Sequence, residues 1–178
     1  MKKKLFLLMM AVTMIFGQLQ AQAPYKHGIG GMVGSFNGFT YKTFFTDHLA
    51  LQADLGVSII RTAGEYYDRV GGIDLYTLQL NPNVMYQGNF VAGLYGFIGG
   101  GVSLGWNFGP YYYSEFGRRD VREIGKFGIN AIMGLEYKLN IPLALQLDFR
   151  PGYGLLFTDR PGWHHFDWNL SFSVRYAF

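Results

Sequence analysis

The sequence predicts an all-β chain folded as an eight-stranded antiparallel up-and-down transmembrane β-barrel, and three observations carry that prediction. Apolar residues recur with a period of two in segment after segment, which is the pattern of strands with one apolar face. The connections between those segments alternate in length, tight at one end of the chain's path and longer at the other. The chain is also rich in aromatics (18%) and poor in charge (15%), where soluble domains carry about 25% charged residues.

The first 23 residues stand outside the expected barrel, which takes up residues 24–178. Lys2, Lys3 and Lys4 form a basic start, Leu5 to Phe16 an apolar stretch and Ala21-Gln22-Ala23 a small-residue exit, the pattern of a secretory signal. Cleavage is expected after Ala21 or Ala23. Ala21 is favoured because Pro24 is an awkward first residue. Removing the signal takes three of the 15 basic residues and none of the 12 acidic ones, leaving 12 of each. A neutral mature chain gives no basic patch for nucleic acid. The absence of Cys leaves packing or a membrane, not disulfides, to stabilise an exported protein.

The strands follow in order. The first two are expected near His27 to Gly34 and Gly38 to Phe45. In the third, Leu49, Leu51, Ala53, Leu55, Val57 and Ile59 alternate with Ala50, Gln52, Asp54, Gly56 and Ser58. The fourth runs from Tyr76 to Tyr86 with the same alternation. The fifth, near Phe90 to Trp106, is blurred by Gly99-Gly100-Gly101, which marks a bulge or a close backbone approach. Phe127 to Leu139 and Leu143 to Leu155 form the sixth and seventh, with Ile132 interrupting the polar side of the former. The eighth is the cleanest, with Phe166, Trp168, Leu170, Phe172, Val174, Tyr176 and Phe178 on one side. It is expected to pair with the first strand, so that no sheet edge remains.

The expected turns after the second, fourth and sixth strands are tight: Thr46 to His48, Gln87 to Asn89, and Asn140 to Ile141. Ser35 to Asn37 is also short. Arg61 to Gly72, Asn107 to Gly125 and the stretch around Arg160 are longer. Short turns at one end and longer loops at the other are the asymmetry of an outer-membrane barrel.

Alternation alone does not say which face points out, and a soluble lipocalin-type barrel is the competing reading. The polar side is mostly Gly, Ser, Thr, Asn and Gln, with few of the Lys and Glu that a water-facing surface carries. Tyr76, Tyr86, Trp106, Tyr137, Tyr153, Trp168 and Tyr176 gather towards strand ends, as membrane-interface girdles do. Both features place the apolar side against lipid.

At this level the chain resembles the small outer-membrane β-barrel proteins, whose best-known relative is the transmembrane domain of outer-membrane protein A. The resemblance rests on the signal, the eight alternating strands, Gly38-Phe39-Thr40-Tyr41-Lys42 followed by Phe44 to Leu51, and the closing Val174-Arg175-Tyr176-Ala177-Phe178. It covers essentially the whole mature chain. It implies a monomer in the Gram-negative outer membrane, touching outer-membrane lipid and lipopolysaccharide. It also implies that Phe172, Val174, Tyr176 and Phe178 are read by the barrel assembly machinery. No peptidoglycan-binding domain is expected to follow.

The polar side carries Lys42, Asp54, Glu136, Lys138, Asp148, Arg150 and Arg175. Charges in a narrow lumen are costly unless paired. Lys42, Asp54, Glu136, Asp148, Arg150 and Arg175 are therefore expected to form a network plugging the interior, with Asp148 roughly opposite Arg175. In the Asn107 to Gly125 loop, Tyr112, Arg118, Arg119 and Arg122 have the composition of a contact surface for phosphates or a partner protein.

An enzymatic reading finds little support. His164 and His165 point to opposite faces of a strand and cannot chelate one ion together. Ser171 is six residues from His165 along an extended chain, too far for a nucleophile and its base. Lipid A deacylases share the eight-stranded architecture, but their His-x-Ser signature is missing. No catalytic residue, cofactor or metal ligand is expected. The role expected is structural or surface-interacting. The alternatives are a lipid A-modifying barrel enzyme and a soluble periplasmic binding barrel.

Overall fold

The computed structural model describes residues 23–62, 73–108, 112–114, 117–119, 124–157 and 163–178. The signal assigned to the start of the chain thus lies, up to residue 22, outside the described residues. The strands are β1 (His27–Gly34), β2 (Phe36–Phe44), β3 (Leu49–Thr62), β4 (Ile73–Val91), β5 (Leu94–Phe108), β6 (Tyr112–Ser114), β7 (Gly117–Arg119), β8 (Ile124–Lys138), β9 (Leu143–Phe157) and β10 (Trp163–Ala177). Eight of them close into one barrel in the order β1-β10-β9-β8-β5-β4-β3-β2. Every neighbouring pair is antiparallel. β6 and β7 pair only with each other, a small ladder inside the loop that leaves β5.

The seam that closes the barrel is β1 against β10. Gly28 lies opposite Ala177, and His27 and Phe178 exchange two backbone hydrogen bonds of 2.8 Å. Following cross-strand partners from Gly28 through Lys42, Gln52, Asn83, Gly101, Asn130 and Gly152 arrives at Asp167. Asp167 stands ten residues before Ala177, so the ladder is staggered by ten residues per circuit. Such a stagger tilts the strands, and eight tilted strands leave an interior that side chains can fill.

The two ends differ as the connections require. Residues 45–48, 92–93 and 139–142 turn the chain at the end that also holds His27 and Phe178, which we term the turn end. Ser35 and segments 63–72, 109–123 and 158–162 connect strands at the other, the loop end.

One turn differs from the sequence expectation. Gln87-Gly88-Asn89 has turn composition, yet β4 runs through it to Val91 and the chain reverses at Ala92 and Gly93. Gly93 has φ 81°, the left-handed value a tight turn needs and other residues resist. The ladder register shifts between Asn89 and Val91, so the extra residue of that stretch is absorbed as a bulge. Phe90 and Val91, expected in the fifth strand, therefore belong to β4. The β1–β2 turn is tighter than expected because Asn37 clamps it, accepting from Gly34 N–H at 3.1 Å and donating to the Gly34 carbonyl at 2.9 Å.

The two faces separate cleanly. Phe39, Ile129, Tyr153, Trp168 and Phe172 are exposed on the outside, whereas Lys42, Gln52, Asp54, Glu136 and Arg175 have 0% exposure inside. Apolar residues on the inner face are few. Ala50, Met85, Phe97, Ile132 and Ala144 pack with Tyr25 and Phe44 near the turn end.

Candidate functional site

The interior holds two charged layers joined by glutamines. In the turn-end layer, Glu136 of β8 is the hub. Arg175 Nη2 of β10 stands 2.5 Å from Glu136 Oε2, and Lys42 Nζ reaches the same oxygen at 3.0 Å from β2. Tyr25 donates its hydroxyl to that carboxylate at 2.9 Å, and Gln87 donates to Oε1 at 3.0 Å. Lys42 also donates to Gln87 Oε1, and Arg175 to Gln146 Oε1. The second guanidinium nitrogen of Arg175 reaches Thr40 Oγ1 at 3.1 Å. Lys42 Nζ sits 5.2 and 5.1 Å from the ring centres of Phe44 and Phe97, whose faces attract a cation.

The second layer lies one step towards the loop end. Arg150 Nη1 meets Asp54 Oδ2 and Arg150 Nε meets Asp148 Oδ1, each at 2.6 Å. Gln52 donates to Asp54 at 3.0 Å, Gln146 donates to Asp148 at 2.9 Å, and Gln146 also donates to Gln52 Oε1 at 3.1 Å. Because Gln146 also accepts from Arg175, the two glutamines tie one layer to the other. Three cations and three carboxylates take part, Lys42, Arg150 and Arg175 against Asp54, Glu136 and Asp148, so the network is neutral within itself. Buried charge is tolerated when paired and hydrogen-bonded in this way.

All six charged residues singled out in the sequence as a lumenal network thus lie inside the barrel, but not in the expected pairing. Arg175 was expected to face Asp148. Instead Ala144 lies opposite Arg175 and Ser171 opposite Asp148, and the acid of Arg175 is Glu136 on β8, beyond the intervening β9. The long guanidinium side chain reaches past its neighbouring strand, whereas Asp148 is taken by Arg150 on its own strand. Lys138 keeps the inward register, opposite the buried Ala144, but at the rim its side chain turns away from the network. It bonds the Leu139 and Ile141 carbonyls at 2.7 and 2.8 Å in the β8–β9 turn.

Several participants had no place in the sequence reading. Gln52 and Gln146 were legible only as polar positions in a period of two, and Gln87 was placed in a turn. Tyr25 precedes the first strand and carried no pattern at all. Gly28 makes its room: a Cβ there would stand 3.0 Å from the Tyr25 ring and 3.5 Å from Arg175 Cδ. Burial and the neighbouring Glu136 carboxylate push the Tyr25 hydroxyl well above its ordinary range, so it stays a proton donor. Nearer the loop end, Lys126 pairs with Asp167, also unforeseen.

The remaining candidates fall elsewhere. Phe172, Val174, Tyr176 and Phe178 are exposed on the outer face of the closing strand. Tyr112 lies opposite Arg119, and Tyr113 opposite Arg118, in the β6–β7 ladder, but the side chains of Tyr112, Arg118 and Arg119 and the whole of Arg122 lie outside the described residues.

No protein-family model and no curated protein sequence matches the chain. Solved structures do. The N-terminal β-barrel domain of Pseudomonas aeruginosa OprF is 13% identical with a TM-score of 0.60, over 89% of this chain and 100% of that one. Neisserial surface protein A is 14% identical with a TM-score of 0.51, over 85% of this chain and 93% of that one. At such identities the likeness concerns the fold: the chain is a closed eight-stranded antiparallel barrel, as are these two outer-membrane proteins.

Proposed function

We propose that the protein is an integral outer-membrane barrel, a monomer without enzymatic activity, whose lumen is plugged by the Glu136 and Arg150 layers. Its role is structural or surface-interacting. The observation that carries this reading is the inversion of its faces. Large apolar side chains cover the outside of all eight strands while paired charges fill the inside. Water is a poor solvent for such an exterior, and hydrocarbon suits it because closure leaves no edge of unpaired backbone. Tyr41, Tyr86, Tyr137 and Tyr176 are exposed towards the turn end, Trp106, Tyr153 and Trp168 towards the loop end, and rings with one polar atom favour the two interfaces.

In this reading the turn end faces the periplasm and the loop end the exterior. The outward aromatics meet outer-membrane lipid, and Tyr112, Arg118, Arg119 and Arg122 meet lipopolysaccharide phosphates or a partner. Phe172, Val174, Tyr176 and Phe178 serve the barrel assembly machinery. Neither a cofactor nor nucleic acid takes part. Cell fractionation tests the placement: a heat-modifiable band in the outer-membrane fraction supports it, and a soluble periplasmic protein overturns it. Planar-bilayer recording tests the plug, which steady open channels would defeat.

A further inference from the structure

The chain joins the barrel wall at the turn end, and its alternation breaks just before it does. In β1, Gly28 and Met32 face inward while Ile29 and Val33 face outward, so the same period would put Tyr25 outside. Instead Tyr25 is 9% exposed, and its hydroxyl reaches the Glu136 carboxylate inside the barrel. Glu136 belongs to β8, three strands from β1 round the wall, so the Tyr25 side chain reaches across the interior. The wall itself ends at Lys26, whose carbonyl still accepts from the Phe44 N–H at 3.0 Å. Residues 23–25 therefore bend off the wall and over the mouth of the lumen.

The fold leaves room for the ring. Gly28 makes space beside it, and the ring meets Phe44 edge-on with centres 5.3 Å apart. Phe44, Ala50, Phe97 and Ala144 belong to the apolar cluster at that end, and Ala23 packs against the same cluster. Glu136 does not need the phenol for charge balance, because Lys42 and Arg175 both reach its Oε2. What Tyr25 adds is an apolar body between the charged hub and the solution at the turn end. Little else holds the segment. Among the described residues, no hydrogen bond reaches the backbone of residues 23–25. An open hollow between Ala23 and Lys26 on one side and Phe45 to Asp47 on the other keeps it clear of the β2–β3 turn. One side chain thus pins the segment in place, and Lys26, exposed to solvent, is the point from which it departs.

We propose that residues 23–26 form a strap that closes the turn-end mouth of the lumen, with the Tyr25 ring as its stopper and Lys26 as its pivot. The strap controls access to the Glu136 layer from the turn end. The inference rests on the plugged lumen proposed above and adds a closure that stands in front of the charged layers. Because the chain has no Cys, a single introduced thiol reports on the mouth. Ala144 is 0% exposed and lies in the cluster that Tyr25 joins. Ala144→Cys in micelles is expected to resist a water-soluble, positively charged methanethiosulfonate. Adding Tyr25→Gly should raise the labelling rate by about tenfold or more, because a buried group reacts only through local opening. Tyr25→Phe keeps the ring and loses the bond to Glu136, and it should leave the rate low. Equal rates with and without Tyr25→Gly, whether fast or slow, overturn the strap. Fast labelling in Tyr25→Phe also overturns it, since protection would then come from the hydrogen bond and not from the ring. Thr46→Cys, exposed in the β2–β3 turn, controls for general loosening. Its rate should be the same in all three backgrounds, and a rise with Tyr25→Gly counts against the strap. Heat-modifiability checks that each barrel is closed, and Tyr25→Ser replaces Tyr25→Gly if the latter fails to fold. Planar-bilayer recording judges the plug separately: steady channels in the parent defeat the plug, and a protected Ala144→Cys in that same protein still upholds the strap.

Discussion

Arg175 Nη2 lies 2.5 Å from Glu136 Oε2, and Lys42 Nζ meets the same oxygen from the opposite wall of the barrel. One carboxylate thus faces two cations, which makes replacement of the acid and of one cation unequal. Glu136→Gln leaves Lys42 and Arg175 facing each other without a charge between them, and we expect it to cost about 3–5 kcal/mol, the cost of stranding a buried charge. Arg175→Met should cost less, because Lys42, Gln87 and Tyr25 still hold Glu136. Urea unfolding in micelles measures both, and an equal or smaller loss for Glu136→Gln would falsify the hub assignment.

Arg150 stands in the reverse relation, one cation between two acids. Arg150→Met should therefore be severe, since Asp54 and Asp148 are left together, while Asp148→Asn should be mild, since Asp54 still pairs with Arg150 at 2.6 Å. Because these groups are out of reach of solvent ions, raising the salt from about 0.05 M to about 0.5 M should leave the ordering intact. Collapse of the difference at high salt would place the bridge in contact with bulk water.

Gly93→Ala should destabilise the barrel by about 1–2 kcal/mol, the cost of a left-handed conformation for a residue with a Cβ. Its φ of 81° sets that cost, and the added carbon would also stand 3.0 Å from the Lys138 carbonyl. Gly93→Asn should lose less than Ala, because Asn tolerates this region better. The same unfolding assay reads both, and an Ala variant as stable as the parent would remove Gly93 from the turn.

The faces were legible in the sequence, and the pairings inside were not, for one physical reason. A period of two needs only neighbours along the chain, so Phe172, Val174 and Tyr176 could be set outside and Arg175 inside without knowing what lay beside them. The partner of Arg175 depends on strand register, on the ten-residue stagger and on the reach of a long side chain, none of which is local. Hence Asp148 was the near-sequence choice and Glu136 the actual one. Gln87-Gly88-Asn89 failed in the opposite way. Its composition suits a turn, but Gln87 is needed inside to bond Lys42 and Glu136, and tertiary demand outweighed local preference. Tyr25 could have been suspected from Gly28, a small residue on an inward position of the first strand.

The closing strand separates assembly from stability. Phe178 exchanges two 2.8 Å backbone bonds with His27 at the seam and its ring lies tilted 5.7 Å from the His27 ring, while its side chain remains outside. Deleting it removes the last rung between β10 and β1 and the final ring of the proposed assembly pattern, yet leaves the interior untouched. Arg175→Ala does the reverse, stripping one cation from Glu136 and keeping every outward residue. Outer-membrane yield should therefore fall more for the deletion, and resistance of the purified barrel to urea should fall more for Arg175→Ala. A crossed pattern of that kind assigns the outer face to assembly and the inner face to stability. Matching losses in both assays would mean that the two faces act through a single effect, and the role given to Phe172, Val174, Tyr176 and Phe178 would have to be abandoned.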